Sequence, residues 1–340
     1  MKLLGQTTEE LKGILASLGQ PKFRAAQVYD WLNKGVAIDN MANIPKTLRE
    51  KLKENFETGY AEVVKKQVSR DGTVKYLFKL DEETMVESVL MRYKHGNTLC
   101  VSTQAGCRMG CIFCASTKGG KQRDLTAGDM LAQFVTANKE AGGGRSITNV
   151  VLMGSGEPLD NYDNTVKFLK LLHDEKGFGI SYRNISLSTC GIVPQMERFI
   201  EEGIPVTLCL SLHCADDERR KRIMPGASRY SIIDVVEAAR KYFDKTGRRV
   251  IIEYAMMDGI NDSIQDAEGL VTLLKGLNCH VNIIPLNPGG EGQLTPSTKE
   301  SMDRFMAYLE KHHVSVTRRR TLGEDIDGAC GQLRNRMKKE

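Results

Sequence analysis

The chain has 340 residues, 41% of them apolar and 27% charged. That is the balance of a globular protein with room for one large α/β domain and a smaller module. No apolar run approaches the roughly 18 residues of a membrane span and the acidic, weakly apolar N-terminus does not read as a signal peptide, so a cytoplasmic protein without a membrane partner is expected. The net charge of +5 permits a nucleic-acid partner without demanding one, and nine cysteines, an odd number, argue against a secreted disulfide framework.

Residues 1–58 read as a small helical domain. "TTEELKGILASLG" opens on a threonine cap and closes on glycine, "RAAQVYDWLNKG" repeats the pattern, and "IPKTLREKLKENF" carries proline near a first turn. Each helix has few apolar residues, so the module is expected to lean on something else. Over 59–104 the period falls to two: "TVKYLFKL" follows an Asp71-Gly72 turn signal, and "TMVESVLMRY" and "NTLCVSTQ" follow as strands of a short β-extension. From 105 to 320 strands alternate with helices, "NVVLMG", "NISLST", "VTLCLSLH", "VIIEYAMM", "HVNIIPL" and "VSVTRR" being the strands. Such alternation predicts a parallel sheet covered by helices, with any site at the C-terminal strand ends. The tail, 321–340, has no clear period.

The unusual chemistry sits at those ends. Cys107, Cys111 and Cys114 stand in a C-x3-C-x2-C spacing in a glycine-containing loop. Three thiolates fit an iron–sulfur cluster with one open iron, and equally a zinc site completed by a distant donor. Cys100, on a strand, has the bland reading of a small buried hydrophobe. Cys330, flanked by glycine-rich sequence in "DGACGQL", lies outside any periodic segment, where a flexible loop can carry a thiol into a site. Glu87 interrupts an apolar strand and is either a solvated strand glutamate or a buried proton carrier.

"CRMGCIFCAST", "MGSGEPLDNYDN", "ISLSTCGIVP", "SLHCADDERRKRIMP", "NIIPLNP" and "GEDIDGACGQL", in that order, resemble the RlmN/Cfr family of radical S-adenosylmethionine (SAM) RNA adenine methyltransferases. The resemblance implies a partial (β/α)6 barrel and one [4Fe–4S] cluster held by Cys107, Cys111 and Cys114, its open iron taken by SAM. It implies SAM contacts at Gly156, Glu157, Ser188, Ser211, Leu212, His213 and Asn287. Ser155 departs from the family, which usually has methionine there.

The same resemblance implies a mechanism. Cys330 is first methylated by SAM; a second SAM, reductively cleaved, yields a radical that takes hydrogen from the S-methyl group. The carbon radical adds to the adenine ring, Glu87 accepts the ring proton, and Cys100 releases the product by forming a transient disulfide with Cys330. The implied substrates are adenine 2503 of 23S rRNA and adenine 37 of tRNA, methylated at C2. An electron donor such as flavodoxin or ferredoxin is also implied, and a monomer is the default. Arg318–Arg320 and Arg219–Arg222 are candidate phosphate contacts, and residues 1–58 a candidate RNA-contacting module. Two alternatives stay open: C8 methylation of the same rRNA adenine, and a non-enzymatic zinc-stabilised RNA-binding protein.

Overall fold

A computed structural model describes residues 1–94, 96–287 and 294–333. His95, part of the "LNPGG" turn and the basic end of the tail lie outside the described residues. The chain opens with α1 (Thr8–Ser17), α2 (Arg24–Asn33) and α3 (Lys46–Asn55). Thr7 and Glu10 form a reciprocal capping box that satisfies two donors at the start of α1. The three helices bury few side chains, among them Leu11, Leu15, Val28, Leu32, Leu48 and Leu52, and these belong to the same core as the rest of the molecule.

Four strands follow: β1 (Glu62–Val68), β2 (Val74–Lys79), β3 (Met85–Tyr93) and β4 (Gly96–Cys100). They form an antiparallel meander. After a ribbon of β5 (Gln104–Gly106) and β6 (Lys121–Asp124) comes α4 (Ala127–Glu140). Alternation then sets in: β7 (Ile147–Leu152), α5 (Tyr162–His173), β8 (Ile185–Thr189), α6 (Val193–Glu202), β9 (Thr207–Ser211), α7 (Asp217–Ile223), α8 (Ile232–Thr246), β10 (Val250–Met256), α9 (Ile264–Leu274), β11 (Cys279–Pro285), α10 (Lys299–Lys311) and β12 (Val316–Arg318).

The sheet order is β1-β2-β3-β4-β7-β8-β9-β10-β11-β12. β4 pairs antiparallel with β3 but parallel with β7, and every later pairing is parallel. The strand read as the end of the extension is thus also the first strand of the barrel. β1 and β12, the outer strands, do not pair with one another, so the barrel is partial. Strand alternation sorts the side chains. On β10, Ile252, Tyr254 and Met256 enter the core while Glu253 and Ala255 line a cavity on the other face. No helix among the described residues is long and apolar enough to cross a membrane.

The N-terminal helices lean on the barrel, as their thin apolar stripes require. Gly5 meets Gly128 of α4 so closely that a Cβ at Gly5 would stand 2.4 Å from the Gly128 Cα. Beside this contact, Asp129 is 2% exposed and takes Lys2 at 2.9 Å and Arg123 at 2.8 Å. Burial works to raise its carboxyl, but the two cations win and hold it below the usual aspartate range. The stability from this lowered pKa is present above the unfolded value near 3.8 and is lost as pH falls through the folded one. Asp129→Asn leaves two cations without their carboxylate and is expected to cost about 3 kcal/mol in urea unfolding near neutral pH. The cost should shrink as pH falls through the lowered range of the folded carboxyl.

The extension holds down the tail. Asp71 Oδ2 accepts from the Gly323 amide at 2.9 Å, Asp325 accepts from Ser69 Oγ at 2.5 Å, and Lys75 Nζ donates to the Asp327 carbonyl at 3.3 Å. The Asp71-Gly72 turn, legible in sequence only as a hairpin signal, therefore anchors the segment that carries Cys330.

Candidate active site

A cavity of about 1020 Å³, counted with its open mouth, lies over the C-terminal ends of β7 to β11. Its walls come from the cysteine loop, from Gly154, Gly156 and Glu157 after β7, and from Ser188, Ser211 and His213 at the next strand ends. Glu253, Asn287, Arg319 and Cys330 complete it. One cavity therefore gathers three cysteine thiols, a buried carboxylate and the tail cysteine.

The cysteine loop is pinned from two sides. The Ile112 amide donates to the Ile223 carbonyl at 3.1 Å and the Gly226 amide to the Met109 carbonyl at 2.8 Å. A Cβ at Gly226 would lie 2.6 Å from Met109 Cα, so only glycine permits this approach. On the other side the Ala115 amide donates to the Gly331 carbonyl at 2.7 Å. Burial pushes the Cys107 thiol up to about 12, and it raises Cys111 and Cys114 as well. All three are free thiols.

Such thiols become thiolates only against strong positive charge, which a bound metal cluster provides. Among the described residues no three His, Cys, Asp or Glu side chains converge on a point where one ion would sit. Three cysteine thiols on one loop match the usual ligation of an iron–sulfur cluster. The three cysteines fit an iron–sulfur cluster.

Glu157 follows from local backbone geometry. Gly156 has φ +108° and packs on Gln104, where a Cβ would meet the Gln104 Cβ at 2.6 Å. This turn points Glu157 inward. Its Oε2 accepts from the Cys190 amide at 2.8 Å and its Oε1 from the Leu159 amide at 3.1 Å. Burial raises its pKa against these bonds. A buried carboxylate on a cavity wall, with no cation within ion-pair distance among the described residues, is suited to a ligand ammonium. Ser155 beside it is held by its backbone, its amide donating to Ser102 Oγ at 2.9 Å, and its side chain is not among the cavity walls.

Ser188 and Ser211 approach at 3.2 Å between hydroxyl oxygens. His213, at φ +57°, accepts from the Ala255 amide at Nδ1 (2.9 Å) and meets the Phe113 ring edge-on. That bond fixes the neutral tautomer, and burial brings the ring down to about 3. Leu212 between them is fully buried in the main core and does not line the cavity.

Cys330 stands exposed at the rim, in a segment already tied down. Asn287 Nδ2 donates to its carbonyl at 3.1 Å, and the Ala329 amide donates to the buried Gln332 Oε1 at 3.0 Å. The sequence suggested a flexible loop; these bonds and the ties to Asp71 and Lys75 hold the thiol in place instead. Cys100, 8% exposed, is pushed up to about 12 by burial first, then by Cys330, with Arg319 opposing.

Glu87 is 9% exposed and does not line the cavity. It lies two residues before Val89, the cross-strand partner of Cys100, and so on the same sheet face. Lys75 Nζ stands 3.4 Å from its Oε1. This burial does not fit the solvated-strand reading.

Two phosphate-contact expectations are corrected. Arg319 is about three-quarters buried, lines the cavity and faces Glu253 at 3.6 Å, so it is turned away from any surface ligand. Arg220 is 1% exposed, enclosed between the β8 end and the turn after α7. Arg219 is tied to Asp266 and Asp216. Arg222, Arg318 and Arg320 remain on the surface. Glu253 and Lys75 went unread in sequence, and Arg319 was read only as a phosphate contact. Glu253 had the same signal as Glu87, a carboxylate interrupting an apolar strand.

Known proteins agree with this geometry. Residues 101–271 match the model of the radical SAM superfamily, and residues 1–58 that of the ribosomal RNA large subunit methyltransferase N-terminal domain. A probable dual-specificity RNA methyltransferase RlmN of Lachnospira eligens is 49% identical over 96% of this chain and 94% of its own length. A protein of the same description from Clostridium novyi is 48% identical over 98% and 97%. A solved radical SAM methyltransferase from Sphaerobacter thermophilus superposes with a TM-score of 0.94 at 42% identity, covering 98% of this chain and 99% of that one. The cofactors of this superfamily, a [4Fe–4S] cluster and SAM, suit the thiols and carboxylate on the cavity walls. The chain belongs to the RlmN family of radical SAM RNA methyltransferases.

Proposed function

We propose that this enzyme methylates C2 of adenine 2503 in 23S rRNA and adenine 37 in tRNA, in the cytoplasm and with an external electron donor of the flavodoxin or ferredoxin class. The observation that carries the reading is the placement of Cys330. Its thiol lies on the wall of the cavity that also holds the three-cysteine loop and Glu157, and Cys100, raised first by burial, is raised next by Cys330.

Cys107, Cys111 and Cys114 hold the cluster, and Glu157 takes the SAM ammonium, with Gly156, Ser188, Ser211, His213 and Asn287 shaping the rest of the pocket. Leu212 backs this wall from the core. When bound, these groups supply an electron, a methyl group and an acceptor for a hydrogen atom.

Cys330 accepts the methyl group on sulfur, losing its thiol proton. Once a hydrogen atom has left that methyl, its carbon bonds to adenine C2 and joins enzyme to RNA. Glu87, held beside Lys75, takes the C2 proton, and the unpaired electron brought to the ring by the carbon radical leaves to a one-electron acceptor, which the oxidised cluster would supply. Cys100 attacks the Cys330 sulfur: the S–S bond forms, the S–C bond breaks with its electron pair going to carbon, and that carbon takes a proton. The disulfide then needs two electrons from an external reductant. Lys221, Arg222, Arg318 and Arg320 are surface cations for RNA phosphates, the target base being one that can leave its stack.

Arg319 favours the attacking thiolate. With Arg319→Gln the Cys100 thiol should rise further, and release from the covalent adduct should slow about tenfold at neutral pH, roughly 1.4 kcal/mol. Raising the pH should restore part of the rate, since it restores thiolate. Single-turnover gels of the adduct check this, and a pH-independent defect speaks for lost packing instead.

Mass spectrometry of rRNA and tRNA nucleosides from cells with and without the gene tests the assignment. Loss of 2-methyladenosine on deletion is expected. Loss of 8-methyladenosine with 2-methyladenosine unchanged would replace C2 by C8.

A further inference from the structure

Arg220 is the one fully buried arginine among the described residues, and two half-buried ones have carboxylate partners. Arg123 has Asp81 and Asp129, and Arg319 has Glu253. Arg220, the largest of the fully buried side chains, has none within ion-pair distance among the described residues. It donates to two carbonyls, Cys190 at 2.5 Å and Ala227 at 3.3 Å, and its Nε has no partner. Asp217, on the same helix, is exposed and accepts from the Ile232 amide at 2.8 Å.

An uncompensated charge in a protein interior is expensive, so a cation kept there implies a negative group that completes it. Besides Asp217, the acidic groups that feel Arg220 are the thiols of Cys190, Cys111 and Cys214. Cys111 belongs to the metal-binding trio. Arg220 also sits where the cysteine loop docks, between the Cys190 strand end and the 223–227 turn to which Met109 and Ile112 bond. A cubane of charge 2+ held by three thiolates is net negative in its oxidised form, and gains another negative charge on one-electron reduction.

We propose that Arg220 is the counter-charge of the iron–sulfur cluster, favouring its reduced form and its retention. Arg220 touches neither substrate nor the reacting atoms in this role; it acts through the cluster. The proposal rests on the cluster reading of Cys107, Cys111 and Cys114.

The test compares anaerobically loaded wild type with Arg220→Lys, Arg220→Gln and Arg220→Met. Midpoint potentials come from redox titration followed by electron paramagnetic resonance, cluster content from iron and sulfide assays. Gln retains hydrogen-bond donors without charge, and Lys retains charge with fewer donors. The expected result is a shift of at least tenfold toward the oxidised cluster in Gln and Met, 59 mV for one electron, with Lys within threefold of wild type. If Gln and Met fail to load iron, Lys should still load it. The gain in melting temperature on cluster loading should likewise survive in Lys and shrink in Gln. Wild-type potential in Gln and Met, or an equal defect in Lys and Gln, overturns the proposal and reduces Arg220 to a bridge between two carbonyls. A wild-type protein that binds no iron fails the cluster reading itself, so the two failures are distinguishable.

Discussion

Cys330→Ala is expected to abolish RNA methylation while leaving iron content and SAM cleavage intact, and Cys100→Ala to stop the enzyme with RNA covalently attached. The contrast follows from where the two thiols stand. Cys330 is exposed at the cavity rim, and its carbonyl is held by Asn287. Its sulfur makes no hydrogen bond among the described residues, so its removal should cost little stability. Cys100 is enclosed with Val89, Met91 and Leu333 and is pushed up to about 12 by burial. A thiol so reluctant to ionise is idle until the adduct puts a sulfur electrophile beside it. Without it no group breaks the S–C bond, and the adduct should persist as a band of increased mass that ribonuclease trims. Methylation should fall at least a thousandfold in Cys330→Ala, a loss of about 4 kcal/mol or more of transition-state stabilisation. Cys330→Ala retaining activity, or Cys100→Ala turning over without an adduct, would remove these roles.

The second large effect concerns Glu157. Both carboxylate oxygens accept backbone amides, from Cys190 and Leu159. In Glu157→Gln the amide group offers one oxygen to two donors and turns an NH2 group against the other N–H. It also removes the negative charge proposed to face the SAM ammonium. SAM binding to the cluster-loaded protein should weaken about a hundredfold, roughly 2.7 kcal/mol. The pH dependence has a definite sign. Burial raises the carboxyl of the free protein, so affinity should fall as acid protonates it, beginning above the usual glutamate range. In Glu157→Gln that acid limb should be absent. Equilibrium SAM titrations across pH measure both effects, and a variant binding SAM like wild type would separate Glu157 from the ligand.

Much of this site was legible because its parts depend on local pattern. Strand alternation with polar or glycine turns located the wall residues at the C-terminal ends of β7, β8, β9 and β11, and the cysteine spacing located the metal loop. What was not legible depends on distant chain segments. Arg219, Arg220 and Arg222 lie within one helical turn, yet Arg220 is enclosed because the carbonyls of Cys190 and Ala227 arrive from other elements. Arg318, Arg319 and Arg320 read as one basic run, but Arg319, just past β12 and bonded through its amide to the Ile283 carbonyl, faces Glu253 and the cavity. The double pairing of β4 erased a boundary that composition suggested, because one strand can end a meander and begin a parallel sheet. The hold of Asp71 and Lys75 on the tail joins residues more than 250 positions apart, beyond any periodic signal.

The central claim is that the methyl group reaches RNA by way of Cys330, and a pulse–chase experiment tests it most directly. Cluster-loaded protein is given SAM with a labelled methyl group in the absence of RNA. It is then freed of that SAM and supplied with unlabelled SAM, reductant and an rRNA fragment. Peptide and nucleoside mass spectrometry should first find the label on the Cys330 peptide alone and later at C2 of one adenine. Label that enters RNA without ever residing on Cys330, or that stays on Cys330 while unlabelled methyl appears in the RNA, would contradict the account.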